Sequence, residues 1–391
     1  MAAVTTGRPV VPGEGGGAPG EGARTQLAAV GPQNAYVHGR SATLWARTVR
    51  RHVPFDVRTV EVPVPWTPGA RSAVDLPRAG DVLADVTLEL RLPAVPGSAE
   101  SWPPRVGLRL LRRVRLLAGD AELTNLERLW YDVAERLGGD DARTLVATGP
   151  LPMARAHVIY VPLRLFGSGR GAARPCLPLQ HLWAAPPRLD IEFEALAVAA
   201  PNVRIPAGWA PVATALADVA SVQDYAPPCG FQAFDQVVDC DAVSQAVDGD
   251  GDATDLGVLR VDLSKLAMGV KLLAWVAYEE NDTMFQYLDV ITHARLSFDN
   301  QERAAERPSR HFELVQTWGG MRCRPGPPAA YAFALAPMAR LPTGAADFSG
   351  LRAAFLEVRL APGTPRVKVK VFAVCTNAVE FASGSARVRY V

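Results

Sequence analysis

The chain has 391 residues, 49% hydrophobic and 21% charged, which is enough for two or three domains with cores of their own and excludes a single small domain. Lysine and arginine number 41 against 40 aspartates and glutamates. The resulting formal net charge of +1 gathers no phosphates over a distance and disfavours a general nucleic-acid binder. Only four of the cations are lysines (Lys265, Lys271, Lys368, Lys370), so an arginine cluster signals less here than in a lysine-balanced chain. The five cysteines (Cys176, Cys229, Cys240, Cys323, Cys375) are odd in number and far apart, with no CxxC pair, which points to reduced thiols rather than a zinc site or a disulfide framework. No stretch approaches roughly 18 uninterrupted apolar residues, and the first residues lack a basic segment followed by an apolar one. The expectation is a soluble protein made in a reducing compartment.

In chain order, residues 1–24 are rich in Gly and Pro with little to bury and read as a flexible tail. Next comes "TVRRHVPFDVRTVEVPVP", a strand pattern carrying Arg50, Arg51 and His52. Period two sends Arg50 and His52 to one face and Arg51 to the other, and without a wider basic excess these favour ion pairing with a neighbouring strand or subunit over phosphate contact. In "DVTLELRLP", Val86, Leu88, Leu90 and Leu92 alternate with Thr87, Glu89 and Arg91. "RVGLRLLRRVRLLAG" sets Arg105, Arg109, Arg112, Arg113 and Arg115 among leucines. It reads as a strand with a bulge near Leu110-Leu111, its arginines facing solvent or an interface, and it lacks the aromatic interleaving that stacks bases. One helix stands out in "TNLERLWYDVAERLGG": Thr124 and Glu127 have capping-box spacing, and Leu126, Leu129, Trp130, Val133 and Leu137 form a stripe that ends at Gly138. Alternation resumes in "HVIYVPLRLF", "RLDIEFEAL", "VKLLAWVAY", "RAAFLEVRL" and "VKVKVFAVC". With no helix after each strand, the chain reads as mainly antiparallel, a sandwich or jelly roll, with a boundary in the proline-bearing region 196–228.

Three patterns invite a chemical reading. Asp190, Glu192 and Glu194 alternate along one strand, as in jelly-roll glycosidases, where two carboxylates roughly 5–5.5 Å apart serve as nucleophile and acid/base. Few sugar-stacking aromatics flank them, so a charged outer face of a half-buried strand is the favoured reading, with a carbohydrate-active enzyme or lectin as the alternative. "VDGDGDATDLG" offers Asp248, Asp250, Asp252 and Asp255, but Ala253 and Leu259 stand where a calcium loop needs glycine and glutamate, so a solvated turn is expected and no metal. The six histidines are scattered, with no nucleophile elbow and no phosphate-binding loop. Asn281-Asp282-Thr283 is a glycosylation sequon.

Gln26-Leu27, Tyr36 three residues before Gly39, and Arg50, Arg51, His52 with Phe55 open a series of blocks that together resemble the major capsid proteins of nucleocytoplasmic large DNA viruses. Farther on, "IYVPLRLFGSGRGAARPCLPLQHLWAAPPRLDIEFEAL" is similar to the paired strands that end the family's first jelly roll. In the second half "HFELVQTWGG", with Phe312 and Leu314, and "YAFALAPMARLPTGAADFSG", with Phe333, Leu335, Pro342, Gly344, Phe348 and Ser349, follow in the family's order. The resemblance implies an all-β fold of two consecutive eight-stranded antiparallel jelly rolls with short helical insertions, residues 25–205 and 206–391. It implies further that three chains form a pseudo-hexagonal capsomer, a homotrimer, and that capsomers tile an icosahedral shell. The implied partners are neighbouring capsomers, minor capsid proteins and an internal membrane, with no specific nucleic acid, no cofactor and no catalysis. The implied location is the virion, assembled in the host cytoplasm. A minor capsid protein of the same fold stays open.

Overall fold

The computed structural model describes Arg24, Ala28 and residues 53–138, 149–166, 176–201, 203–225, 231–244, 257–279, 285–318, 320–321, 325–339 and 343–390. Each of the six strand-like segments named above becomes a strand, and every ladder among the described residues is antiparallel. In the first half the strands are β1 (Phe55–Val64), β2 (Arg71–Asp75), β3 (Val82–Leu92), β4 (Ser101–Trp102), β5 (Leu111–Ala118), β6 (Ala121–Glu127), β7 (Leu151–Pro152), β8 (His157–Pro162), β9 (Leu177–Pro178), β10 (Pro187–Phe193) and β11 (Val212–Val222). The second half contributes β12 (Phe231–Val243), β13 (Val258–Asp262), β14 (Gly269–Glu279), β15 (Ile291–Phe298), β16 (Gln301–Pro308), β17 (Ala329–Ala332), β18 (Ala346–Asp347), β19 (Ala354–Leu360), β20 (Val367–Ala382) and β21 (Ser385–Val388).

The sheet orders repeat. The first half pairs β1-β11-β3-β8 in one sheet and β2-β10-β5-β6 in the other; the second pairs β12-β20-β14-β17 and β13-β19-β15-β16. Leaving aside the short strands β4, β7, β9, β18 and β21, each half places its first, eighth, third and sixth strands together and its second, seventh, fourth and fifth together. Two Greek keys wound in this way make a jelly roll, so the described chain from Pro54 onward holds two of them in one compact unit. The inward residues of the first roll's sheets, Leu88 and Leu90 on one and Val114 and Leu189 on the other, are fully buried in one core.

Three local expectations give way to different structure. Thr124 and Glu127 do not cap a helix: both lie in β6, where the Thr124 hydroxyl accepts the Phe166 N–H at 2.9 Å, and the helix starts at Arg128 (α2, Arg128–Gly138). The pairing of Arg113, Arg115 and Leu117 with Glu127, Asn125 and Glu122 keeps this segment extended. The arginine-rich stretch is a strand only from Leu111; before it Val106–Arg109 forms a helical turn (α1) with buried Val106 and Leu108. The third difference concerns β11. The expected division at 205/206 assigns it to the second half, whereas it hydrogen-bonds β1 on one side and β3 on the other. Pro201, Pro206 and Pro211 look like a linker because they break alternation, but they belong to the connection between β10 and β11.

Candidate assembly surfaces

One strand of the second roll has nowhere to face water. Nine consecutive residues of β14, Val270 to Tyr278, are buried. Leu273, Trp275 and Ala277 enter the second roll's own core, while Leu272, Ala274, Val276 and Tyr278 join a cluster made mostly of first-roll residues. A strand buried on both faces needs a near-continuous apolar run, which "VKLLAWVAY" supplies except at Lys271, whose buried ammonium pairs with Asp235 at 2.9 Å. What covers the outer face is β6, α2 and the loop at Phe166. Trp130 of α2 lies 5.5 Å from Phe372, and Phe166 lies 5.1 Å from Phe234 and 6.2 Å from Phe381. Each such side chain stabilises the seam by about 1.5–3 kcal/mol.

Polar contacts fix the register of the seam. Lys370, buried on β20, pairs with Glu127 of the first roll and with Asp239 at 3.1 Å. Arg136 donates to the Pro327 carbonyl at 3.1 Å, and its guanidinium sits 4.7 Å from the centre of the Tyr287 ring. Its Nε lies 2.9 Å from fully buried Asp132, which also pairs with Arg105, so α2 is held from both sides. Ala184 and Ala185 donate to the Gly384 carbonyl at 3.0 Å. Gly384 has φ +84, and a Cβ there would stand 2.6 Å from the Trp183 ring, so two requirements meet at a residue only glycine satisfies.

The corresponding face of the first roll carries no such cover within the described residues of this unit. Outward on β1 are Phe55, Val57, Thr59 and Glu61; on β11 Val212, Thr214, Leu216 and Asp218; on β3 Asp85, Thr87, Glu89 and Arg91; on β8 Val158 and Tyr160. Phe55 is 63% and Val57 47% exposed. Val212 and Val158 are exposed at the other end of the face, either side of Arg91. A second exposed apolar group lies on the second roll, in the segment after β16. There a π-helical turn (His311–Val315) runs into Gln316–Trp318, with Phe312 anchored 5.3 Å from Trp275. Val315 points out, Trp318 is 82% exposed and Leu335 83%, and Gly320 brings the two loops together against the Leu335 carbonyl.

The carboxylate strand is an ion-pair ladder. Asp190 is buried rather than on a solvated face, and takes Arg71 and, at 3.3 Å, Arg188; Glu192 takes Arg115 at 2.7 Å; Glu194 takes Arg128 at 3.0 Å. Every acid of the trio is neutralised by an arginine. Gln26, Leu27, Tyr36, Gly39, Arg50, Arg51, His52 and Pro342 lie outside the described residues, as do the tail 1–23, the Asp248–Asp255 stretch, the sequon at Asn281, Cys229 and Cys323. Of the other family-motif residues, Phe55 and Leu335 are exposed, Leu314 half-buried, and Ser349 an exposed turn residue whose hydroxyl donates to Asp347 at 2.6 Å. Phe312, Phe333, Gly344 and Phe348 come together. Ring centres run from Trp275 to Phe312 to Tyr331 to Phe333 to Phe348 at 5.3, 6.5, 5.0 and 5.7 Å, and Gly344, at φ +127, packs on the Phe333 carbonyl. Buried Cys240 and Cys375 have thiols pushed up by burial, to about 11 and about 12.

Comparison with known proteins agrees with this architecture over most of the chain. Residues 43–226 match the family described as the N-terminus of the major capsid protein, and residues 272–386 match the large eukaryotic DNA virus major capsid protein. The chain belongs to the major capsid protein family of large DNA viruses. The major capsid protein of Pyramimonas orientalis virus is 22% identical across 94% of this chain and 99% of its own length, and capsid protein 1 of Acanthamoeba polyphaga mimivirus is 26% identical over 41% of this chain and 32% of its own. Among solved structures, VP54 of PBCV-1 superposes with a TM-score of 0.77 at 18% identity, covering 89% of this chain and all of VP54. The Faustovirus major capsid protein gives 0.60 at 10% identity over 88% of this chain and 93% of that one. This capsid protein is therefore a double jelly roll and a structural component of a virion shell. Its relatives are capsid proteins rather than enzymes, and the glycosidase reading of Asp190, Glu192 and Glu194 falls with that.

Proposed function

We propose that the protein works as a homotrimer: three chains close into a ring of six jelly rolls, and the resulting pseudo-hexagonal capsomers tile an icosahedral shell. The observation that carries this reading is the internal repeat. Two rolls of the same topology stand in one chain, joined by a core-like seam, and one of the two equivalent sheet faces is left open by the described residues. A head-to-tail contact that repeats around an axis closes into a ring, so a seam used once within the chain and once between chains gives six rolls from three copies. In this reading each roll is a domain, the first running to about residue 225, past β11.

The ion-paired arginines fit a wall rather than a nucleic-acid groove: Arg71, Arg113, Arg115 and Arg128 are all spent on carboxylates. Neighbouring capsomers, minor capsid proteins and an internal membrane would then meet the remaining loops, and assembly would take place in the host cytoplasm. Electron microscopy of the purified full-length chain tests the proposal. Particles with a near-hexagonal outline and a threefold axis are expected; a field of single two-lobed particles at micromolar concentration would contradict it.

A further inference from the structure

Trp275 of β14 is 1% exposed, and its ring packs edge-on against Phe312 at 5.3 Å between centres. Its indole N–H is buried as well and meets no acceptor among the described residues. An indole nitrogen can only donate, and a buried donor without an acceptor costs about as much as a lost hydrogen bond. The side chain also lines a small cavity between β14 and the helical segment that follows β16.

The walls of this cavity are polar where an ordinary core would be apolar. Ser309 and Glu313, both buried, line it from the helical segment, and exposed Asp289 lines it toward solvent. The Glu313 carboxylate accepts the Ser309 hydroxyl at 2.9 Å with Oε1 and the Gly326 N–H at 2.9 Å with Oε2. Both donors are neutral, and each carboxylate oxygen has a lone pair left for a further bond. The cavity thus has an unused donor in one wall and unused acceptor capacity in another. The space open to the centre of a water molecule is about 10 Å³, room for one. Apolar cavities stay dry, whereas polar ones that offer two or more partners hold ordered water. An N–H in the wall disfavours a cation and the carboxylate disfavours an anion, which leaves a neutral molecule that both accepts and donates.

We propose that this cavity is the site of one ordered water, which accepts the Trp275 Nε1–H and donates to the Glu313 carboxylate. The water joins a strand buried over most of its length to the His311–Val315 turn, which leads out to exposed Val315 and Trp318. Phe312 anchors that turn by packing and Glu313 anchors it through the water, so two consecutive side chains hold it to the core. The inference does not depend on the trimer reading.

The test begins with a density map of the full-length protein, by crystallography or electron microscopy, at a resolution that shows ordered water. A single peak within roughly 2.7–3.2 Å of both Trp275 Nε1 and a Glu313 carboxylate oxygen is expected. A dry cavity, or Trp275 Nε1 bonded directly to Glu313, overturns the proposal. In solution, ultraviolet resonance Raman spectra report whether an indole N–H is hydrogen-bonded. The difference between wild type and Trp275→Phe isolates this one signal among eight tryptophans. The hydrogen-bonded position is expected, and the free position overturns the proposal. Glu313→Gln keeps an acceptor and should leave the signal in place, whereas Glu313→Leu should move it to the free position; an unmoved signal in Glu313→Leu overturns the assigned acceptor. Circular dichroism establishes that each variant is folded, and the wild-type map and spectrum decide the question should Glu313→Leu fail to fold. Hydrogen exchange reads the anchoring role: the amides of residues 309–318 should exchange several-fold faster in Trp275→Phe, with Trp318→Phe, at an exposed position, as the unchanged control. Equal exchange in Trp275→Phe and wild type overturns that role.

Discussion

The two rolls present the same sheet, with the same strand order, to two different fates. In the second roll the outer face of β12-β20-β14-β17 is lined by Phe234, Leu272, Ala274, Val276, Tyr278, Phe372 and Val374 and is sealed by the first roll. In the first roll the equivalent face mixes Phe55, Val57, Val158 and Val212 with Glu61, Glu89, Arg91 and Asp218. On the trimer reading proposed above, the difference follows from when each is covered. A face closed as the chain folds never meets water as a finished surface and can be as apolar as a core. A face that must wait for another chain has to stay soluble meanwhile, and mixed apolar and charged surface meets that requirement.

The harshest break removes one side of the comparison altogether. Leu88 is fully buried in the first roll's core, so Leu88→Asp buries an uncompensated charge and should cost more than about 4 kcal/mol. The expected outcome is loss of soluble protein and of the strand signal in circular dichroism; a soluble, cooperatively melting variant would show that Leu88 does not face inward. Trp130→Ala attacks the sealed seam and leaves both cores intact. A loss of about 3–5 kcal/mol is expected, and calorimetry should resolve one transition into two as the rolls lose their mutual support. A single unshifted transition would mean that the seam contributes little.

Gly384→Ala acts at the same seam through one methyl group. The positive φ and the approach to Trp183 together predict a loss of about 1–3 kcal/mol, read as a lowered melting temperature. The smallest effect is chemical. With thiols held near 11 and 12 against an ordinary value of 9.0, Cys240 and Cys375 stay protonated in the folded protein, so iodoacetamide at about pH 8 should spare both until denaturant is added. The linked stability is fully present below 9.0, where both states keep the proton. It is lost as pH rises from there through about 11 and about 12, because the unfolded chain releases its protons first. Labelling of Cys240 in the native protein would place it outside the core.

Much of this was legible beforehand. Alternation located β3, β8, β10, β14, β19 and β20 because a half-buried strand must alternate. Capping spacing misled at "TNLE", where four residues are held extended by pairing to β5, a tertiary contact that no local rule contains. Alternation was ambiguous at β14, whose unbroken run of buried residues announces cover on both faces without saying by what. Lys370 shows the limit most plainly. In "VKVKV" it reads as a solvated residue on the outer side of a strand, and only the arrival of Glu127, 243 residues earlier in the chain, turns it into a buried ion pair. The internal repeat was invisible by identity because what the rolls share is strand order. Pockets for side chains need only similar size and polarity, and the ladders are made by backbone.

The central claim is that the open face of the first roll waits for another copy of the chain. The solution mass of the full-length protein, by light scattering across a dilution series, tests it most directly. The account requires three times the 41.8 kDa of one chain, falling only when the protein is diluted or the salt raised enough to screen the charged face. A mass of one chain at every concentration would contradict it.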